Sequence, residues 1–342
     1  MKIMVFCVPA TTGGSLTILE EYYKKAVKSA DVNVQWIFVV STPEFNETEN
    51  IRVLNYPWVK KSWFHRVVFD CLVAPQIVRK QNPDEILSLQ NVTIPFARKF
   101  KQVLYVQQSL PFVDYKFCFK ENRLYWTYQN IIGRLIIRSI RKANEIIVQT
   151  NWMKEACSQK AKVNPSKIRV DPPELNIEVR KYFSGEATNL RTFFYPASPN
   201  SYKNHKIILQ ACKKLKEVGI DDYRVVLTIN GHENKYALEL YEAARQNGLP
   251  IEFIGSLKRE EVYEWYSKSV LIFPSYIETF GLPLLEAKLH KTPIIASDTP
   301  FSHEILDDYE NVWFFEPFDA DELCKIMLSV MNLEQLPRVA QR

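Results

Sequence analysis

Residues Val270–Ala287 read VLIFPSYIETFGLPLLEA and form the most informative segment of the chain. The apolar run Val270–Pro274 predicts a buried strand. Gly281 lets the backbone approach a neighbouring molecule closely because it carries no Cβ, and Pro283 suits the first position of a helix. The stretch therefore predicts a strand, a tight loop and a helix whose free N–H groups favour an anion, such as a diphosphate, beyond the strand end.

Two carboxylates flank the predicted loop, with seven residues between them. Glu278 lies in the loop, and we expect Glu286 in the first turn of the helix. Carboxylates accept hydrogen bonds well from paired hydroxyl groups, such as those of a sugar or a ribose. The pair therefore indicates a site for a hydroxyl-rich anionic ligand, although an acid near a helix N-terminus can also serve only to stabilise that helix.

Similar apolar runs alternate with helical patterns, which predicts an α/β protein with parallel sheets covered by helices on both faces. The length of 342 residues suits two domains. We place the boundary in the Pro-rich and polar segment after Asp171, giving domains of residues 1–175 and 176–342, with the final helix a candidate to pack back on the first domain. The predicted strands are Ile3–Pro9, Val34–Val40, Glu85–Leu89, Gln102–Gln107, Glu145–Thr150, Arg191–Pro196, Arg224–Asn230, Ile251–Ile254, Val270–Pro274 and Thr292–Ala296.

The composition is that of a globular protein, with 46% apolar and 24% charged residues. The six cysteines are scattered and form no C-x-x-C pair, which argues against a disulfide framework or a zinc site and for a reducing, cytoplasmic compartment. The apolar residues Ile3–Ala10 run into a glycine turn, so we interpret them as a first strand and not as a signal peptide. No apolar stretch is long enough to predict a transmembrane helix.

The net charge of +5 divides unevenly along the chain. Residues 1–180 contain 26 Lys and Arg against 16 Asp and Glu, whereas residues 181–342 contain 18 against 23. Within the basic half, Asn55–Lys80 mixes aromatic with basic residues, and Arg98–Lys101 does so more loosely. Such segments suit peripheral contact with an anionic membrane, although a solvated basic helix face explains them equally well. No nucleic-acid-binding motif accompanies the charge, so we expect no nucleic acid as a partner.

The C-terminal half resembles glycosyltransferase family 4 over about residues 191–320. The resemblance implies the GT-B architecture, in which two Rossmann-like domains with parallel sheets face each other across a cleft. It also implies transfer of a sugar from a nucleoside-diphosphate sugar, with retention of configuration and without a metal or other cofactor. The donor would bind the C-terminal domain and the acceptor mainly the N-terminal domain. The resemblance is carried by Pro274-Ser275, Glu278, Phe280-Gly281-Leu282-Pro283, Glu286-Ala287, Thr292–Asp298, His303-Glu304-Ile305 and Phe253–Leu257.

The resemblance assigns roles to residues around the loop. Glu278 would contact the sugar hydroxyls and Glu286 the ribose of the nucleotide. Lys203 matches the family's lysine on the donor diphosphate, although a solvated loop lysine is the simpler interpretation of that residue alone. Ala197 stands where the family has an arginine, so half of the usual cationic clamp is missing. The backbone that would line the sugar and the diphosphate belongs to Thr279, Phe280, Gly281 and Leu282.

Two further candidates lie in the N-terminal half. Gln107 stands where related transferases carry a histidine that touches the sugar, so an amide replaces a titrating side chain. Gly13 and Gly14 follow the first strand and would let backbone N–H groups approach a phosphate or an acceptor. A plain tight turn between strand and helix explains the two glycines equally well.

We therefore expect a retaining hexosyltransferase that uses a glycan or lipid-linked sugar as acceptor, as in bacterial surface-polysaccharide synthesis, at the inner face of the membrane. The absent arginine and histidine leave two alternatives open: a sugar-nucleotide epimerase or hydrolase of the same fold, and a non-catalytic partner of another transferase. Asp319-Ala320-Asp321 resembles a metal-binding D-x-D motif, but its place before a helical pattern predicts a helix start. We assign no metal.

Overall fold

The computed structural model describes residues 1–11, 13–29, 33–120, 122–173 and 177–333. Its internal contacts divide the chain into two compact units, Met1–Leu175 and Asn176–Arg342. Each unit contains its own fully parallel sheet, because every paired strand runs in the same direction as its neighbour. The alternation of apolar runs with helical patterns is thus confirmed as an α/β arrangement.

The first unit has a seven-stranded sheet in the order β3-β2-β1-β4-β5-β6-β7. Its central strands are nearly continuous apolar runs, as expected of strands covered on both faces. The chain leaves β1 to one side and returns to β4 on the other, so the carboxyl ends of β1 and β4 form the switch point where open α/β sheets bind ligands. The strands are β1 Lys2–Phe6, β2 Gln35–Val40, β3 Ile51–Asn55, β4 Glu85–Ser88, β5 Lys101–Tyr105, β6 Glu145–Val148 and β7 Ile168–Val170.

Two of the helical segments of the first unit contain a π-helical turn. One runs through α2 and α3 with the π turn Phe69–Val73 between them, and the other runs through α4 and α5 with the π turn Tyr128–Ile132. Such turns insert one extra residue into a helix and shift the face that its later side chains present. The helices are α1 Gly13–Lys28, α2 Trp63–Val68, α3 Ala74–Gln81, α4 Arg123–Thr127, α5 Gly133–Lys142 and α6 Asn151–Ala161.

The second unit has a six-stranded sheet in the order β10-β9-β8-β11-β12-β13. The predicted strand Val270–Pro274 is central β11, which pairs with β8 and β12. The strands are β8 Thr192–Tyr195, β9 Arg224–Leu227, β10 Ile251–Phe253, β11 Val270–Phe273, β12 Ile294–Ser297 and β13 Val312–Phe315. The helices are α7 His205–Glu217, α8 Lys235–Gln246, α9 Arg259–Tyr266, α10 Leu282–Leu289, α11 Pro300–Leu306 and α12 Ala320–Met331.

The D-x-D-like segment begins a helix, as predicted. The side chain of Asp319 accepts hydrogen bonds from the backbone N–H groups of Asp321 and Glu322, both at 2.9 Å, and so caps α12. That helix packs against α7 and β13 of its own unit. The segment therefore has a structural task that needs no metal ion.

Candidate functional site

The loop between β11 and α10 has the predicted strand–loop–helix geometry. Gly281 has φ +89° and immediately precedes α10, a left-handed conformation that favours glycine. A Cβ at this position would lie 3.2 Å from the Leu284 side chain. The expectation that Glu286 lies in the first helical turn is wrong. The helix begins at Leu282, one residue before Pro283, so Glu286 is its fifth residue, in the second turn, and faces the interior.

Lys203 and Glu278 are brought together by the fold. The Lys203 Nζ donates a hydrogen bond to Glu278 Oε1, and both side chains are more than four-fifths buried. Ser275 Oγ donates a second hydrogen bond of 2.8 Å to the same carboxylate oxygen. The pair thus places one cation and one carboxylate together in the loop region before α10, with Glu278 four residues before Leu282, where the helix begins.

The segment that carries Lys203 is fixed to the loop after β11. Residues Ser201–Lys203 form a single 3₁₀ turn, and the Tyr276 N–H donates to the Tyr202 carbonyl at 3.2 Å. The buried Tyr195 hydroxyl donates to the Lys203 carbonyl at 2.8 Å. Because backbone bonds hold the turn, the position of the ammonium group does not depend on the ion pair alone.

Glu286 lies in a second polar cluster. The residue is only 7% exposed. Its carboxylate accepts a hydrogen bond of 3.0 Å from Arg259 Nη2 and another of 3.2 Å from the Tyr266 hydroxyl. Burial raises the pKa of Glu286, whereas the Arg259 charge and both hydrogen bonds lower it and only partly offset the burial. The cluster therefore holds a carboxylate at some cost in stability, which is common at binding sites.

Both carboxylates have cationic partners within the chain. A ligand that uses Glu278 and Glu286 must share or exchange these partners, so its hydroxyls replace contacts that already exist. Arg259 and Tyr266 were not among the predicted site residues. Both lie within the region of about residues 191–320 that resembles the family, but no spacing pattern relates Arg259 on α9 to Glu286 on α10. The remaining predicted backbone positions surround the same turn: Phe280 and Gly281 are buried, and Thr279 and Leu282 are half-buried.

Ala197 is buried and follows β8 at the position where the family has an arginine. Nearby His205 is completely buried, and burial lowers its pKa to about 3, so this imidazole is neutral and supplies no charge. Within the described ranges, no cluster of three or more His, Cys, Asp or Glu side chains is suited to hold a metal ion.

The predicted residues of the first unit lie at the carboxyl edge of its sheet. Gly13 begins α1 with φ +67°, and a Cβ on Gly13 or Gly14 would meet open space. Gln107 follows β5, and its side-chain Nε2 donates to the Leu89 carbonyl at 2.8 Å while its backbone N–H donates to Asn91 Oδ1 at 2.7 Å. The hydrogen bond to the Leu89 carbonyl therefore orients the Gln107 side-chain amide, with its Oε1 directed away from that carbonyl.

The comparison with known protein families and structures agrees with this geometry. Residues 178–342 match the family described as "Glycosyl transferases group 1". The chain is 24% identical over 280 residues to the O-antigen chain mannosyltransferase RfbU of Salmonella typhimurium, covering 80% of this chain and 72% of that protein. It is 30% identical over 140 residues to the serotype-specific mannosyltransferase WbdA of Escherichia coli, which covers 40% of this chain and 17% of that protein.

Two solved structures have the same fold. The Anabaena protein Alr3699/HepE, in complex with UDP and glucose, aligns with a TM-score of 0.70 and 15% identity over 97% of this chain and 90% of that one. WaaG, a glycosyltransferase involved in lipopolysaccharide biosynthesis, aligns with a TM-score of 0.69 and 15% identity over the same shares.

The two parallel sheets and the loop after β11 therefore define a glycosyltransferase of the GT-B fold. Its C-terminal unit matches the group 1 glycosyl transferases, and the expected resemblance to retaining transferases of this kind is consistent with that match.

Proposed function

We propose that this glycosyltransferase moves a hexose or deoxyhexose from a nucleoside-diphosphate sugar to a hydroxyl of a glycan or lipid-linked sugar, with retention of configuration, in bacterial surface-polysaccharide synthesis. The O-antigen and serotype-specific mannosyltransferases among its relatives support this role. The complexes of HepE with UDP and with UDP-glucose support a nucleotide sugar as the donor. No metal or other cofactor is part of the proposal.

The observation that carries the proposal is the buried Lys203–Glu278 pair, whose glutamate lies in the loop that leads into α10. A donor has a diphosphate next to a ring of hydroxyls, so it needs a cation and backbone N–H groups beside a hydrogen-bond acceptor. Lys203 and the backbone N–H groups of Gly281 and Leu282 would hold the diphosphate. Pro283 has no N–H to offer, and the N–H of Leu284 donates to the Gly281 carbonyl. Glu278 would accept hydrogen bonds from the sugar, and Glu286 would accept them from the ribose.

The chemistry follows from where charge develops. The acceptor oxygen forms a bond to the anomeric carbon while the bond from that carbon to the β-phosphate oxygen breaks, and the proton of the acceptor hydroxyl passes to the departing phosphate. Negative charge grows on that phosphate, and Lys203 stabilises it as it grows. Because Ala197 stands where the family has an arginine, no positive charge comes from that position. Stabilisation of the leaving phosphate would therefore depend on Lys203.

The first unit would bind the acceptor. Gly13 and Gly14 begin α1 after β1, and Gln107 follows β5, so all three lie at the sheet edge where α/β proteins bind ligands. An exposed turn of two glycines lets a sugar approach the backbone, and the Gln107 amide can bind a hydroxyl without taking its proton. A lipid-linked acceptor would bring the enzyme to the cytoplasmic face of a membrane as a peripheral protein. None of the described helices is both long enough and apolar enough to cross a membrane.

Radiolabelled nucleotide sugars, offered one at a time with and without a bacterial membrane lipid extract, test this function. We expect label in the lipid or glycan fraction only when donor and extract are both present, and an NMR spectrum of the product with the anomeric configuration of the donor. Conversion of a nucleotide sugar without any acceptor would instead indicate an epimerase or hydrolase. Donor binding with no turnover under any condition would indicate a non-catalytic partner.

A further inference from the structure

Two helical segments of the first unit cover the same face of its sheet. Strand register places Ile86 beside Gln102, Ser88 beside Leu104, and Leu104 beside Ile146, and parallel partners share a face. The segment Trp63–Gln81 packs on the core that contains Ile86, and the segment Arg123–Lys142 packs on the core that contains Leu104 and Ile146. The outer sides of both segments therefore face the same direction.

These outer sides expose large apolar side chains where solvated helices usually carry polar ones. Each is between 52% and 73% exposed, and we call the set the apolar surface: Trp63, Phe64, Val67, Leu72, Leu124, Ile131 and Leu135. Trp63 and Tyr128 connect the two segments, with ring centroids 6.2 Å apart. Seven large apolar side chains on adjacent helices form a patch of a kind that marks an interaction site.

The π-helical turns help to build the apolar surface. Val67 and Leu72 are five residues apart, one π turn, and both remain exposed across the turn Phe69–Val73. In the second segment, Ile131 lies inside the π turn, and Leu135 follows one α-helical turn later. Without the extra residue, the later apolar side chain would rotate away from the earlier one.

The part of the chain that carries the apolar surface is rich in cations. Residues 56–142 contain 15 Lys and Arg against 5 Asp and Glu, a net charge of +10 that equals the whole excess of residues 1–180. Arg98 and Arg138 lie near enough to Lys142 to lower its pKa together with desolvation, which is the larger cause. The exposed cations on or beside the two segments are Lys61, Arg98, Lys99, Arg134, Arg138 and Lys142.

A third element adds an apolar side chain among these cations. Phe96 is 74% exposed and has φ +58°, a conformation that is unfavourable for an aromatic residue. Gln102 holds this turn through hydrogen bonds to the backbone of Ile94 and Ala97, so the strained backbone is fixed by buried contacts. Phe96 thus adds a strained, exposed aromatic side chain two residues before the exposed cation Arg98.

We infer that the apolar surface and its cations dock the first unit on an anionic lipid bilayer. Aromatic and aliphatic side chains enter the boundary between headgroups and acyl chains, while Lys and Arg pair with anionic headgroups. A protein partner would not require so large an excess of one charge, and a nucleic acid would not require the aliphatic side chains. The inference rests on the proposed use of a lipid-linked acceptor, because that substrate lies in the same bilayer.

Co-sedimentation of the full chain with vesicles tests the surface without any enzymatic readout. One set of vesicles contains phosphatidylcholine alone, and the other contains equal parts of phosphatidylcholine and phosphatidylglycerol. We expect the wild type to bind the anionic vesicles. The double variant Trp63→Ser/Phe64→Ser should bind them about tenfold or more weakly than the wild type, and Ile131→Ser/Leu135→Ser should show a similar loss. The matched control Val218→Ser/Leu238→Ser removes exposed apolar side chains from the second unit and should bind as the wild type does.

The inference would be overturned if the wild-type protein stayed in solution with anionic vesicles, or if a Trp63→Ser/Phe64→Ser variant with a native circular dichroism spectrum bound them equally well. It would also be overturned if the wild type were a dimer and this variant a monomer, because the surface would then be a dimer interface. Loss of vesicle binding on addition of single-stranded DNA would likewise contradict it. The two proposals fail separately. A protein that sediments with vesicles but transfers no sugar contradicts the proposed function alone. A protein that transfers sugar but ignores vesicles contradicts the docking surface alone.

Discussion

Lys203 and Glu278 lie 75 residues apart in the chain, yet their side chains form an ion pair that joins the turn after β8 to the loop after β11. In the proposed donor complex the two groups bind different parts of one molecule: the lysine the diphosphate and the glutamate the sugar. The ion pair holds both groups in place, and in the proposed complex the donor would replace each group as the other's partner. Pre-positioned groups of this kind lose little entropy on binding.

Replacement of Lys203 should reduce transfer strongly. Lys203→Ala removes the cation nearest the proposed leaving phosphate and leaves Glu278 without its partner, so we expect kcat/KM to fall about 10²- to 10³-fold. Lys203→Arg keeps the charge with a different shape and should lose less. Steady-state transfer from the preferred nucleotide sugar measures both. The control Lys206→Ala changes an exposed lysine only three residues away and should leave kcat/KM unchanged. An equal fall of kcat/KM in Lys206→Ala would contradict a specific role of Lys203.

Replacement of Gly281 should destabilise the loop. Alanine would have to adopt φ +89° with its Cβ 3.2 Å from the Leu284 side chain, so we expect Gly281→Ala to lower the free energy of unfolding by about 1–3 kcal/mol. Urea denaturation measures the change. Gly14→Ala is the matched control for stability, because its Cβ meets open space and its φ is not positive. A Gly281→Ala protein as stable as the wild type would show that the left-handed turn is not required.

Loss of Arg259 should make stability depend more strongly on pH. The pKa of Glu286 is raised in the folded protein, so the native carboxyl keeps its proton over a range in which the unfolded one has lost it. The stability that this proton contributes is present at low pH and is lost as the pH rises through the raised pKa.

Arg259→Gln should raise the pKa of Glu286 further and widen that range. Because Arg259 is about half exposed, we expect a loss of only about 1–2 kcal/mol near pH 7 and a smaller loss near pH 5. Thermal unfolding at the two pH values measures it. Lys235→Gln, which breaks the exposed pair with Glu239, serves as control and should change neither value. A destabilisation that is the same at both pH values would contradict the role of the Glu286 charge.

Much of the fold could be predicted from the sequence, because central parallel strands are uninterrupted apolar runs. The three strands that the apolar pattern did not predict, β3, β7 and β13, all lie at sheet edges. Their side chains are partly exposed, as in β7, where only Ile168 is buried, so their pattern of apolar residues is weak. The helix Trp63–Gln81 was expected only as one of two interpretations of Asn55–Lys80, since its outer side is apolar and a π turn breaks the helical period.

The site could be predicted only in part. Glu278, Gly281 and Glu286 follow one strand and are revealed by local spacing. The partners of the two carboxylates come from elsewhere: Lys203 from the turn after β8, and Arg259 and Tyr266 from α9. A long-range ion pair leaves no periodic trace in a single sequence, so the pairing of Glu286 with Arg259 is visible only in the structure.

Calorimetric titration of Glu278→Gln distinguishes the roles proposed for Glu278 and Lys203. The ligands are the nucleoside diphosphate, UDP or GDP, that the wild type binds better, and the corresponding nucleotide sugar. If Glu278 holds the sugar and Lys203 the diphosphate, Glu278→Gln should bind the nucleotide sugar about tenfold or more weakly. It should bind the diphosphate alone at least as tightly as the wild type does, because Lys203 no longer has to leave its partner. Equal weakening of both ligands, or of neither, would contradict the division of the donor between these two residues.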